Sequence, residues 1–501
     1  MAKILKIVLP LWLVLGILPL RAQQWQSVDD ASLSERERVH LSDYEVSIRT
    51  RDGHWQQVKV AGALVSNIDK RGEDGDRGIN GTDTAGHART LMGVAMLTHD
   101  FAQKGDRGVR VRVKRQGVPF SEVTIRPTAK RIKPRRIDGQ TVEFSLDHPA
   151  KVSVEFDGDR DHNLFVFADT PLERPTQDDL IYFGSGEHEA GFINMHSGQT
   201  VFIDEGAVVY GQIDARGADH IRILGRGILC GSQAVHDFQR RRSMIYCSRC
   251  RDVRVEGVLF RGSPSWTLCF SDCDSVLLDN IKEICWMRNS DGIDLCNSTN
   301  VTIRNAFLRN YDDNISLKNY DVPSGRSTSH VKMLDCTLWA DCAHNIVVGP
   351  ENRPALPMEN VSFENIDVLE ARETAYPWRG AIGVMGSDDG TFRNILFRNI
   401  RIDHVRGGQP FAVEFCRYKS MGQKVENVLL ERISIEGDTL GMPRSTVKGL
   451  DEAHCIEGFQ LRDLRINGKK VKQKEMERHI ETNEFVRPHI FSEELLFLLN
   501  P

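Results

Sequence analysis

The sequence predicts an all-β chain: a right-handed parallel β-helix preceded by an N-terminal β-sandwich. Three observations carry this expectation. One short phrase (apolar, any, apolar, any, Asn/Gly/Asp, any, any, apolar) recurs down the second part of the chain, from Ile221 to Leu464. Its internal period is 2, so each phrase reads as strand, turn, strand and not as a helical repeat. Upstream of it, short alternating segments separated by Gly, Asp and Pro clusters read as half-buried antiparallel strands.

The elements follow in order. Residues 1–22 read as an export signal: Lys3 and Lys6 precede an apolar run from Ile7 to Leu20, and Ala22 offers a small cleavage residue. The mature chain is therefore expected to be secreted or periplasmic. Residues 26–170 are assigned to the sandwich. Tyr44-Glu45-Val46-Ser47-Ile48 alternates, as do the segments Val109–Val113, Val142–Leu146 and Val152–Phe156. The stretch from Thr84 to Asp106 reads as helical or irregular, an insertion between strands.

Residues 176–470 are assigned to the β-helix. The phrase starts at Ile221, Val253, Val276, Val301, Val331, Val361, Ile395, Val428 and Phe459, so successive starts are 32, 23, 25, 30, 30, 34, 33 and 31 residues apart. About nine or ten coils follow from that spacing. The turn position holds Gly225, Gly257, Asn280, Asn305, Asn365 and Asn399, residue types that tolerate the left-handed backbone. Stacked Asn turns can also hydrogen-bond from coil to coil. Unequal repeats imply that one inter-strand loop varies in length and walls a groove along one face. The tail, 471–501, ends in Leu495-Leu496-Phe497-Leu498-Leu499 and is expected to pack on the β-helix.

Composition narrows the function. The 501 residues carry 65 Lys+Arg against 70 Asp+Glu, a net charge of −5 with no basic stripe, so no nucleic-acid partner is expected. No run after residue 22 approaches about 18 apolar residues, so the mature chain is expected to have no membrane span. Eleven cysteines lie between Cys230 and Cys455, and most read as small buried apolar residues. Cys247 and Cys250 form the one close pair, and no partner pair or histidine stands at zinc-ligand spacing. No metal and no cofactor is expected.

Two acidic segments interrupt the repeat in neighbouring coils: Asn289-Ser290-Asp291-Gly292-Ile293-Asp294 and Tyr311-Asp312-Asp313-Asn314-Ile315-Ser316-Leu317-Lys318. From Asp291 to Asp312 is 21 residues, about one short coil, so the solenoid stacks them roughly 5 Å apart. Clustered carboxylates repel and raise at least one pKa among them, an arrangement costly for stability and suited to acid–base work.

These segments resemble glycoside hydrolase family 28, the polygalacturonases, and family 49, the dextranases and isopullulanases. Both are right-handed, pectin-lyase-like solenoids. Ser290 stands where family 28 has Thr, and the Asp312-Asp313 pair falls at the matching one-coil spacing. Tyr182-Phe183-Gly184-Ser185-Gly186 and Ile223–Gly231 also resemble these enzymes, and the likeness covers about residues 176–470. A sandwich ahead of the β-helix is more similar to family 49. Family 28 next carries Gly-His-Gly, where this chain has Ala343-His344-Asn345, and then Arg-Ile-Lys, which binds the galacturonate carboxylate. No such triplet follows His344; the nearest segment is Tyr376–Ile382, with Trp378 and Arg379.

The resemblance implies an inverting glycoside hydrolase acting on a polysaccharide or oligosaccharide. Asp312 would be the general acid, Asp291 and Asp313 would position and deprotonate the water, and His344 would hydrogen-bond Asp312. Asn289, Asp294, Lys318, Trp378 and Arg379 are the expected substrate contacts, and Trp266, Trp286 and Trp339 are aromatic faces that could stack on sugar or fill the core. Without Arg-Ile-Lys, the groove is expected to favour a neutral glycan or one whose acid group is bound differently. Three alternatives stand beside this reading: a polygalacturonase acting on pectin, a calcium-dependent polysaccharide lyase, and a non-catalytic carbohydrate-binding β-helix.

Overall fold

The computed structural model describes residues 40–49, 52–66, 89–102, 108–231, 243–287, 289–353, 356–372, 379–416, 420–437 and 442–492. The export segment 1–22, Trp378 and the apolar tail Leu495–Leu499 lie outside the described residues.

Two five-stranded sheets form the N-terminal module. One orders Trp55–Val58, Tyr44–Arg49, Val109–Arg115, Thr141–Leu146 and Arg135–Arg136; the other orders Val60–Ser66, Arg89–Thr98, Asp159–Asp169, Ala150–Phe156 and Val123–Arg126. Apolar alternation closes them on each other: Val46, Val111, Val113, Val142, Phe144, Val152, Val154, Leu164 and Val166 share one core. The expected irregular insertion at Thr84–Asp106 is corrected here. Arg89–Thr98 is a strand of the second sheet, pairing antiparallel with Val60–Ser66 and parallel with Asp159–Asp169. Its Leu91–Leu97 run lacks clean alternation because both of its faces are covered, which the sequence pattern of a half-exposed strand does not anticipate.

The second sheet also lies against the β-helix. Phe165 and Phe167 point away from the sandwich core and join Met92, Val94, Tyr210, Phe307 and Trp339 in a separate cluster. Neighbouring residues Leu164, Val166 and Ala168 face the sandwich core. Period-2 geometry thus lets one strand serve two cores. Ala150–Phe156 is buried along its whole length for the same reason.

From Leu180–Phe183 to His489–Ser492 the chain winds through 31 strands of one continuous sheet, paired in parallel between successive coils apart from the short antiparallel pairing of Arg465 and Ile466 with Lys470 and Lys469. This is the right-handed parallel β-helix. The phrase starts read from the sequence align directly: Ile221 faces Val253, then Val276, Val301, Val331, Val361, Ile395 and Val428 in turn. Their side chains fill one interior column of the core. Asn280, Asn305, Asn365 and Asn399 all hold φ between 54° and 57°. Asn399 Nδ2 donates to Asn365 Oδ1 at 3.0 Å, and a second ladder runs through Asn360, Asn394 and Asn427 at 3.0 and 3.2 Å. No helix among the described residues is long and apolar enough to cross a membrane. All 11 cysteines are free thiols, nine of them buried.

Candidate active site

Three strands bring the acidic segments together. Ile293–Cys296 pairs with Ile315–Asn319, which pairs with Ile346–Asn352, so the turns before them stack. Backbone bonds continue the stack into the turns: Gly292 N donates to Asp313 O at 2.8 Å, and Asn314 N to His344 O at 2.9 Å. Gly292 is required there because a Cβ would come within 2.4 Å of Asn314 O. The interior side is tied by amides: Asn314 Nδ2 donates to Trp339 O, and Asn345 Nδ2 to both Asn314 Oδ1 and Glu370 O.

The outcome is a carboxylate cluster. Asp291, Asp312 and Asp313 each offer an oxygen within 4.8 Å of the others. Asp291 and Asp313 are 4% and 9% exposed. Burial, and next the charge of Asp313, push the Asp312 carboxyl up to about 6, against an opposing pull from Arg379. Asp313 is also buried, and burial is the largest single effect on it, but the sum of its favourable partners outweighs that. His344 N and Nδ1 contact Asp313 Oδ1 at 2.8 and 3.0 Å, and together with Arg379 and Lys318 they hold Asp313 below the usual carboxylate range. Asp312 Oδ1 accepts from Asp313 N at 3.0 Å. Burial, and then the charge of Asp294, push Asp291 well up, with Lys318 opposing.

His344 thus contacts Asp313, not Asp312 as the sequence led us to expect. The reason is register: Asn314 and Asn345 are the residues paired across the coils, which sets His344 directly beside Asp313. Ala343, which stands where the family pattern has its first glycine, takes φ 61°, in the left-handed region that glycine favours. Gly383 lets the imidazole lie flat, since a Cβ there would sit 2.9 Å from His344 Cδ2.

Asp294 is fully buried and Lys318 is 3% exposed, although both point away from the interior core that Leu295 and Leu317 fill. Lys318 Nζ stands 2.7 Å from Asp294, 3.3 Å from Asp291 and 3.8 Å from Glu351. Burial, and then the charges of Glu351 and Asp313, raise Asp294 to about 7 against the opposing pull of Lys318. Asn289 is half-buried with φ 57° and forms the turn into Asp291. Arg379 is half-buried and acts on both Asp312 and Asp313. Trp286 and Trp339 are buried, Trp339 in the contact with the sandwich, while Trp266 lies over Lys318. Glu351 and Gly383 escaped sequence reasoning. A register shift between Leu317 and Asn319 defeats any count from Lys318 to Glu351.

Beside the cluster a cleft of about 510 Å³ opens, lined by Phe192, Asp214, Tyr246, Trp266, Cys296 and Tyr320 among others. Trp266 joins cleft and cluster. The spacing of the three aspartate oxygens would also admit a cation, the group a calcium-dependent lyase would require.

A stacked-carboxylate site on a parallel β-helix defines a class of carbohydrate-active proteins, and comparison with known proteins specifies it. Residues 177–482 match the profile of glycosyl hydrolases family 28, and the chain belongs to that family. It is 26% identical over 162 residues to a probable polygalacturonase of Arabidopsis thaliana, covering 31% of this chain and 32% of that one. An exopolygalacturonase of Cochliobolus carbonum is 25% identical over 234 residues, 42% of this chain and 49% of that one. The chain thus spans 32% and 49% of the length of these curated relatives. Among solved structures, Dex49A from Penicillium minioluteum superposes with a TM-score of 0.58 at 15% identity, covering 90% of this chain and 94% of that one. That likeness shows the fold, sandwich included.

Proposed function

We propose that this chain hydrolyses glycosidic bonds of a polysaccharide or oligosaccharide, with inversion, outside the cytoplasm. Asp312 protonates the departing oxygen; Asp291 and Asp313 bind the attacking water and take its proton. The observation that carries the assignment is the split between two adjacent carboxyls. Asp313, bonded twice by His344, is kept ionised, while burial keeps Asp312 protonated up to about 6. Neighbouring titratable groups pushed apart are how one site supplies both an acid and a base. Inverting carboxyls usually stand roughly 6.5–9.5 Å apart; these oxygens are closer, within 4.8 Å. The inverting outcome therefore rests on the family likeness and not on the spacing. Export rests on Lys3, Lys6 and the apolar run from Ile7 to Leu20.

For the substrate, we keep the neutral glycan as the first expectation, because Arg-Ile-Lys has no counterpart after His344. A polyuronate would depend on Arg379. Screening the purified protein against dextran, galactan, galacturonan and rhamnogalacturonan oligosaccharides tests both. Efficient cleavage of unsubstituted polygalacturonate would contradict the neutral-glycan reading. The anomer formed first, read by NMR, is expected to be inverted. Full activity after exhaustive chelation separates this hydrolase from the lyase; loss of activity restored by calcium would favour the lyase.

A further inference from the structure

Lys318 reaches the site along the outer face of its strand, buried under Trp266. Its strand partner is Cys296, and its Nζ stands within 3.8 Å of Asp291, Asp294 and Glu351. A solvated ammonium loses much of its hydration when buried, and neutralising it would take one carboxylate. Asp294, at 2.7 Å, already provides that. The additional contact goes to Asp291, and to one atom of it: Lys318 Nζ donates to Oδ2 at 3.3 Å, while Oδ1 has no hydrogen-bond partner among the described residues.

Motion of the ammonium is restricted from two further directions. The Trp266 ring lies 3.9 Å from Nζ, and Trp266 itself lines the adjoining cleft. At the rear, Tyr320 hydroxyl donates to Glu351. Lys318 is thus covered where sugar would arrive and acts through Asp291. Asp291 is faced by Asp294, Asp312 and Asp313, three like charges, with Lys318 as the opposing cation.

We propose that Lys318 is a positioning residue for the hydrolytic step: it holds Oδ2 of Asp291 with its positive charge and leaves Oδ1 to take the proton of the attacking water. As the water oxygen bonds to the anomeric carbon, its proton passes to Asp291, and the proton of Asp312 passes to the leaving oxygen. The proposal rests on the assignment of Asp291 and Asp312 given above.

The test is Lys318→Met, assayed for kcat and KM from pH 4 to 8 on whichever glycan the wild-type protein cleaves. An opposing charge at this distance moves a carboxyl by about 1–3 pH units, so the acid limb of kcat is expected to move up by that amount. KM should change less than about twofold and kcat should fall at least about tenfold at the optimum. A wild-type profile, or an equal loss at every pH with the limb in place, overturns the proposal. If Lys318→Met does not fold, Asp294→Asn reads the same device with the opposite sign. It removes a like charge and releases Lys318 to Asp291, so the acid limb moves down; an unmoved limb overturns the proposal. Asp312→Asn separates the two levels. If it is inactive while Lys318→Met behaves as wild type, the positioning role fails alone; if it keeps the wild-type rate, the assignment fails and the positioning role with it.

Discussion

Asp312→Asn removes the proton and almost nothing else. The amide has the volume of the carboxyl, and its Oδ1 can still accept from Asp313 N, a 3.0 Å bond in the native turn. The fold should therefore survive, with an unchanged circular dichroism spectrum. A positioned general acid contributes about 10²–10⁴-fold, which at 1.36 kcal/mol per decade is about 2.7–5.4 kcal/mol of transition-state stabilisation. Loss of kcat in that range is expected on a glycan, whose leaving alcohol needs the proton. The loss should shrink toward tenfold on an aryl glycoside with an acidic phenol, which departs without one. The pH profile provides a second readout. With the Asp312 carboxyl raised to about 6, its acid form is present below that pH and lost as pH rises through it. Wild-type kcat/KM should accordingly fall above about pH 6, and this alkaline limb should be missing in the variant. An equal loss on both leaving groups, or a wild-type rate on the glycan, would refute the reasoning.

Three further outcomes are expected. Gly383→Ala forces a methyl to 2.9 Å from His344 Cδ2; displacing the ring from Asp313 should lower kcat by on the order of 10–10²-fold without changing the melting temperature by more than a few degrees, and a wild-type kcat would show that His344 does not orient Asp313. Glu283 is fully buried, and its carboxyl is raised to about 8 by burial. The folded state therefore binds a proton that the unfolded chain has released, so this group makes stability fall as pH rises from about 4.5 to about 8; Glu283→Gln should flatten that slope in melting temperatures measured across it. Asp161→Ala strips one of two shared partners from Arg309 and Arg372, which approach it at 3.2 and 2.7 Å; denaturant unfolding should show a loss of about 3–5 kcal/mol, as for other broken buried ion pairs.

The repeat was legible because solenoid geometry turns sequence register into contact: eight of the nine phrase starts became facing residues across the coils, and Asp291, Asp312 and Asp313 met as their spacing required. What was not legible depends on partners with no local signal. Arg89–Thr98 hides its strand character because the sandwich core covers one face and the β-helix the other. Lys318 and Asp294 do point to the groove face, since the adjacent Leu317 and Leu295 turn into the interior core, yet neighbouring side chains bury both, which the linear motif does not reveal. His344 was found, but its partner was off by one aspartate, since Asp312 and Asp313 differ by a single step and only the Asn314–Asn345 pairing decides between them.

That pairing also explains why the sandwich belongs to the catalytic argument. Asp161 of the sandwich contacts Arg309 and Arg372 of the β-helix, and both of these contact Asp341. Asp341 also accepts from Trp339 Nε1, three residues before the backbone N–H of His344 meets Asp313. Arg126 extends the contact, donating to Leu369 O and Glu370, the residue whose carbonyl receives the side chain of Asn345. Every charge in this chain of contacts is buried, so none can relax toward water when a neighbour is lost. The turn that carries His344 is therefore held from two sides, by the coil stack and by the sandwich. The coil register fixes both the spacing of the aspartates and which of them the histidine reaches; the sandwich braces the coils that carry that turn.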